Sequence, residues 1–104
     1  MPDAEVKKIV KQYAKALKEV NFSFDALYLF GSHAKEDPTE YSDIDVAVIS
    51  DQLKRNRDQG RLLLWKVRRS VDTRIEPHGF TVEGFADDED PVAYEIKKTG
   101  IRIA

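Results

Sequence analysis

Gly31-Ser32-His33-Ala34-Lys35-Glu36-Asp37-Pro38-Thr39-Glu40-Tyr41-Ser42-Asp43-Ile44-Asp45 is the stretch on which the reading of this chain turns. The Gly-Ser pair closes the apolar run Ala26-Leu27-Tyr28-Leu29-Phe30, and the Asp-x-Asp opens the β-branched run Ile44–Ile49. Both runs have strand length, so one strand should enter the Gly-Ser turn and another should carry the aspartates. Alternation then puts Asp43 and Asp45 on one face of the second strand, with Ile44, Val46 and Val48 on the other, against a core. A glycine lets the backbone come close to a phosphate, and free N–H groups at the start of a turn or helix attract one. Neighbouring carboxylates suit hard divalent cations.

Working outward, Asp3 is a suitable N-cap for a first helix, with Val6, Ile9, Val10, Tyr13, Ala14 and Leu17 spaced along one face and lysines on the other. Asn21 and Ser23 should end it. Residues 35–43 are polar, contain Pro38 and read as a loop. Lys54 to Arg69 predicts a second helix carrying Leu62, Leu63, Trp65 and Val67. Leu62 and Trp65 fall on the side opposite a basic face that is solvated or, alternatively, meets RNA or an acidic partner. Val71 to Phe80 reads as a third strand. Thr81–Phe85 predicts a short helical turn, Asp90-Pro91 a last helix ended by Gly100, and Ile101–Ile103 a short strand or docked tail. Helices on a small mixed sheet follow, an α/β (α+β) arrangement.

The 104 residues make one domain, 1–104, by length. A hydrophobic fraction of 41% with 35% charged residues describes a soluble globular chain. The net charge of −2 argues against a general nucleic-acid binder. Absence of cysteine excludes disulfides and thiolate metal sites, and Met1-Pro2-Asp3 does not open a signal peptide. No apolar run approaches the ~20 residues of a membrane span. A cytoplasmic location is expected.

A Gly-Ser turn and two aspartates, each on its own strand, meet the needs of nucleotidyl transfer. That reaction holds an attacking hydroxyl, an α-phosphate and a pyrophosphate leaving group in line, assisted by divalent ions. The run is similar to the Gly-Ser-x10-Asp-x-Asp signature of the DNA polymerase β-type nucleotidyltransferase superfamily, and the short chain resembles its minimal (MNT) branch. The resemblance implies a polymerase β-like fold, two Mg2+ ions and a nucleoside triphosphate, ATP by family habit. It places Gly31 and Ser32 on the nucleotide and Asp43 and Asp45 on metal. His33 and Lys35 on the same run complete the expected nucleotide-binding set, His33 either replacing an arginine contact or pointing to solvent. Relatives often carry Arg and then Ala-Arg-Gly after the Gly-Ser pair. Here His33-Ala34-Lys35-Glu36 stands instead, and Glu36 adds a negative charge beside a phosphate site.

The resemblance also implies a third acidic residue, a metal ligand and base for the acceptor. Asp72 and Glu76 both qualify, because alternation through Val71–Pro77 puts them on one face with Arg74 between them. Asp72 follows an apolar residue as the family's aspartate does, and it enters the expected catalytic and metal set with Asp43 and Asp45, while Glu76 stays in the catalytic set. Arg74 could meet the triphosphate or simply pair with a neighbouring carboxylate. His78 has no ligand partner at useful sequence spacing and reads as structural. Tyr41 could stack on a base.

Chains of this type resemble antitoxins paired with helical HEPN-type toxins, some of which are silenced by AMP transfer onto a tyrosine. The expected function is therefore Mg-dependent transfer of AMP to a partner toxin, in a homo- or hetero-oligomer. The alternative is a non-catalytic protein that neutralises or scaffolds a partner by contact.

Overall fold

The computed structural model describes residues 4–31 and 43–104. Asp3, Ser32, His33, Lys35, Glu36 and Tyr41 lie outside the described residues. The elements run α1 (Ala4–Glu19), β1 (Ala26–Phe30), β2 (Ile44–Ile49), a 3-10 turn (Asp51–Lys54), α2 (Arg57–Arg68), β3 (Ile75–Phe80), α3 (Val82–Ala86), α4 (Pro91–Thr99) and β4 (Ile101–Arg102). The four strands form one mixed sheet in the order β3-β2-β1-β4. β1 is antiparallel to both β2 and β4, whereas β2 and β3 are parallel and joined through α2. The fold is the expected α/β class, a small mixed sheet flanked by helices.

Local chemistry sets the boundaries. Asn21 ends α1 in the left-handed region, at φ 62°. The Asn21 N–H donates to the Lys18 carbonyl (3.0 Å) and the Phe22 N–H to that of Leu17 (2.9 Å). This is a Schellman closure, sealed by packing between buried Phe22 and Leu17. At the start of α4, Asp90 Oδ1 accepts from the N–H groups of Val92 (2.9 Å) and Ala93 (3.2 Å), with Pro91 opening the helix. Thr81 caps α3 through the Gly84 N–H at 3.0 Å.

Helices cover the sheet on both sides. Leu27, Leu29, Ile44, Val46, Val48 and Ile75 meet Val10, Tyr13 and Leu17 of α1 and Leu64 and Val67 of α2. Tyr13 donates to the Leu64 carbonyl at 2.8 Å, tying the two helices together, and burial raises its pKa well above the usual phenol range. On the opposite face Ala26, Ala47 and Ile49 pack with Phe85, Ala93 and Ile96 of α3 and α4. β2 is thus buried on both faces beyond Asp45, which explains its unbroken apolar run.

Two expectations need correction. The third strand begins at Ile75, not Val71. Residues 71–74 form a turn in which Asp72 Oδ1 accepts from the Arg74 N–H at 2.8 Å, and the chain extends only after that. α2 starts at Arg57, with Lys54 in the 3-10 turn before it; Val67 is buried there together with Leu64, while Leu62 and Trp65 are 70% and 40% exposed, on the outside with the arginines.

Candidate functional site

β1 and β2 run antiparallel with Phe30 opposite Asp45, so the end of one strand and the start of the other converge. Gly31 follows Phe30 with φ 76°, a conformation that L side chains rarely adopt. A Cβ at Gly31 would run into the Asp45 carboxylate, so glycine serves both the turn and the close approach. Asp45 is partly buried and Asp43 is exposed, just ahead of β2.

The parallel pairing of β2 and β3 completes the site. Asp45 stands opposite Glu76 and Ala47 opposite His78. Alternation turns Asp45, Glu76 and His78 to the same face, away from Ile44 and Ile75. Oxygens of the two carboxylates and a nitrogen of His78 lie within 4.8 Å of one another. His78 Nε2 is 3.4 Å from Asp45 Oδ1, and its ring sits edge-on to Phe30 with centroids 5.1 Å apart.

Asp72 is not in this group. In the turn before β3 its carboxylate accepts from Arg74 Nε at 3.1 Å and Nη2 at 2.9 Å, besides the backbone N–H. These hydrogen bonds to Arg74 hold its pKa below the usual carboxylate range, against the opposing effect of burial. Of the residues expected from sequence, the structure joins Asp45, Glu76 and Gly31, with Asp43 two residues from Asp45. It sets Asp72 and Arg74 apart as an ion pair, while Ser32, His33 and Lys35 fall outside the described residues.

His78 was missed by the sequence reading. It is separated from Asp45 by more than thirty positions, and only the strand register brings the two together. The chemistry of the group fits a divalent cation: two carboxylates supply hard oxygen donors, and an imidazole nitrogen widens the range toward manganese.

The description "Polymerase beta, Nucleotidyltransferase" fits residues 7–104, nearly the whole chain. The chain belongs to the polymerase beta nucleotidyltransferase family. Two Methanocaldococcus jannaschii proteins provisionally named protein adenylyltransferases are 39% and 38% identical to it, over 47% and 43% of this chain. The matched segments span about half of those relatives, 48% and 45% of their lengths. Among solved structures, a Sulfolobus solfataricus protein provisionally named a nucleotidyltransferase superposes with TM-score 0.66 at 19% identity, over 94% of this chain and 78% of its own. A chain from a mutant of the MntA–HpeT toxin–antitoxin gives TM-score 0.64 at 19% identity, over 90% and 71%. At that identity the two structures share the fold. Within this nucleotidyltransferase domain the Asp45–Glu76–His78 group lies where Gly31 and the aspartate strand meet.

Proposed function

We propose that this domain is a divalent-metal-dependent nucleotidyltransferase that moves AMP from ATP onto a hydroxyl of a protein partner. The observation that carries the reading is the register pairing of Asp45 with Glu76 directly beside the Gly31 turn. The names of the M. jannaschii relatives favour adenylyl transfer to protein.

In this reading Glu76 is the third carboxylate and Asp72 is structural. Asp43, Asp45 and Glu76 would hold magnesium, two ions in the fullest form of the site. When bound, the metal neutralises phosphate oxygens and sharpens the electrophilicity of the α-phosphorus. Gly31 and Ser32 would hold the triphosphate through backbone N–H groups, with His33 and Lys35 next in sequence as further nucleotide-binding residues. The acceptor oxygen forms a bond to the α-phosphorus as the bridging bond toward the β-phosphate breaks. Pyrophosphate leaves with that electron pair, and the hydroxyl proton passes to Glu76. His78, whose Nε2 lies 3.4 Å from Asp45 Oδ1, would be a further donor to the ion through a deprotonated ring nitrogen.

The shared fold with a chain of the MntA–HpeT pair makes a helical HEPN-type toxin the first acceptor to try, with this domain as its antitoxin. Label from [α-32P]ATP should pass to such a partner in magnesium and fail to pass in the Asp45→Asn variant. Neutralisation of the partner that persists in Asp45→Asn, with no label transferred by the wild type, would replace the enzyme by the contact-binding alternative.

A further inference from the structure

A groove of about 740 Å³ runs along β3, the edge strand of the sheet. Arg57, Arg61 and Trp65 of α2 form one wall, β3 from Pro77 to Phe80 forms the floor, and Val92 stands at the far side. We propose that this groove binds the acceptor as an extended, acidic polypeptide segment whose hydroxyl enters the site past His78. The proposal rests on the nucleotidyl-transfer reading and adds what the acceptor is like and where it lies.

The floor suits an extended chain. Ile44 N–H bonds to the Arg74 carbonyl and Ser50 N–H to that of Phe80, so the even-numbered residues of β3 direct their main-chain groups toward β2. Alternation turns those of Pro77 and Gly79 outward, to the open edge. Proline is tolerated there because its missing N–H faces away from the sheet, and the two carbonyls and the Gly79 N–H remain for an added strand.

Charge selects the occupant. Arg57 and Arg61 are exposed on the groove wall of a chain whose net charge is −2, so the positive field is local. Of the acidic run Asp87–Asp90, Asp90 lines the other side. Asp90 Oδ1 is engaged by two N–H groups of α4, and Asp88 by Lys97 at 2.6 Å. A continuous phosphate backbone would meet that run at a cost, whereas a peptide can set its carboxylates against Arg57 and Arg61 alone. Trp65 offers an aromatic wall, and the Arg68 guanidinium lies over its ring, 4.6 Å from the centroid. The groove also includes His78, whose Nε2 is 3.4 Å from Asp45 Oδ1. A hydroxyl at that end would meet the imidazole that neighbours Asp45, which is the entry the proposal requires.

Trp65 is the only tryptophan of the chain, so its fluorescence reports on the groove directly. The probes are a random Glu–Tyr copolymer, a Lys–Tyr copolymer and a single-stranded RNA oligonucleotide. The Glu–Tyr copolymer should shift Trp65 emission saturably, with affinity at least about tenfold weaker in Arg57→Glu/Arg61→Glu, as follows from losing two charge-assisted contacts. Arg57→Ala/Arg61→Ala should fall between, with circular dichroism unchanged because both side chains are exposed. With [α-32P]ATP and magnesium, the charge-reversal variant should raise the KM for the copolymer and keep kcat, while Asp45→Asn should lose transfer and still bind. Copolymer binding that depends on the arginines, with no transfer by any form, supports the groove and overturns the transfer reading. Transfer unaffected by charge reversal, preference for the Lys–Tyr copolymer, or a Trp65 response to RNA alone overturns the groove proposal.

Discussion

The sharpest test of the site separates Glu76 from Asp72, which sequence alternation places together and the fold does not. Glu76 faces Asp45 across a parallel strand pair; Asp72 is held by three hydrogen bonds from Arg74 at 2.8, 2.9 and 3.1 Å. Positioned general bases are worth about 10²–10⁴ in rate, or roughly 3–5 kcal/mol of barrier at 1.36 kcal/mol per decade. Glu76→Gln should therefore lower label transfer from [α-32P]ATP at least about 100-fold. It should not destabilise the metal-free protein. Asp45 and Glu76 are like charges directly opposite, and relieving that repulsion is worth about 0.2–1 kcal/mol in favour of the fold. Magnesium should raise the Tm of the wild type and leave that of Glu76→Gln nearly unmoved.

Asp72→Asn should do the reverse. Loss of its charge-assisted contacts costs about 1–2 kcal/mol, which for a domain of this size is a fall of about 5–10 °C in Tm. Transfer per folded molecule should stay within about threefold of wild type. The reasoning fails if Asp72→Asn abolishes transfer at a temperature where it is folded while Glu76→Gln remains active.

The Asp72–Arg74 pair also predicts a pH dependence. Because the folded-state pKa lies below the ordinary carboxylate value, its contribution is present above about pH 4 and lost as pH falls through the lowered value. The gap in denaturant stability between wild type and Asp72→Asn should then close on acidification over that range and be constant from pH 5 to 8. Gly31→Ala should lower stability by about 1–2 kcal/mol for its left-handed backbone alone, displace Asp45, and abolish transfer. Melting curves and the labelled-ATP assay check both effects. His78→Ala should weaken Mn2+ binding about tenfold by electron paramagnetic resonance titration, with little change in Tm, since the side chain is partly exposed.

What the sequence discloses and what it hides divide along one physical line. β1 and β2 are legible because their apolar runs are unbroken, and the ends of α1 and α4 because Asn21 and Asp90-Pro91 act through hydrogen bonds spanning a few residues. Gly31, Asp43 and Asp45 stand out for the same local reason. The errors come where local patterns compete. Val71–Arg74 alternates like a strand, yet Asp72 captures the Arg74 N–H and turns the chain before β3 can begin. In α2 four apolar residues in a row, Leu62 to Trp65, leave the packed face ambiguous. Contact with α1 and the sheet decides it for Leu64, with Val67 one turn on, and leaves Trp65 to the groove. His78 is the opposite case, with no local signal: it depends on Ala47 and on a parallel register closed through α2. The same register pairs Glu76 with Asp45. One non-local alignment thus sets Glu76 rather than Asp72 opposite Asp45, adds the imidazole and puts the strand that floors the groove beside them. A perturbation that weakens the β2–β3 pairing should impair all three together, while changes at Arg57, Arg61 or Asp72 should each act alone.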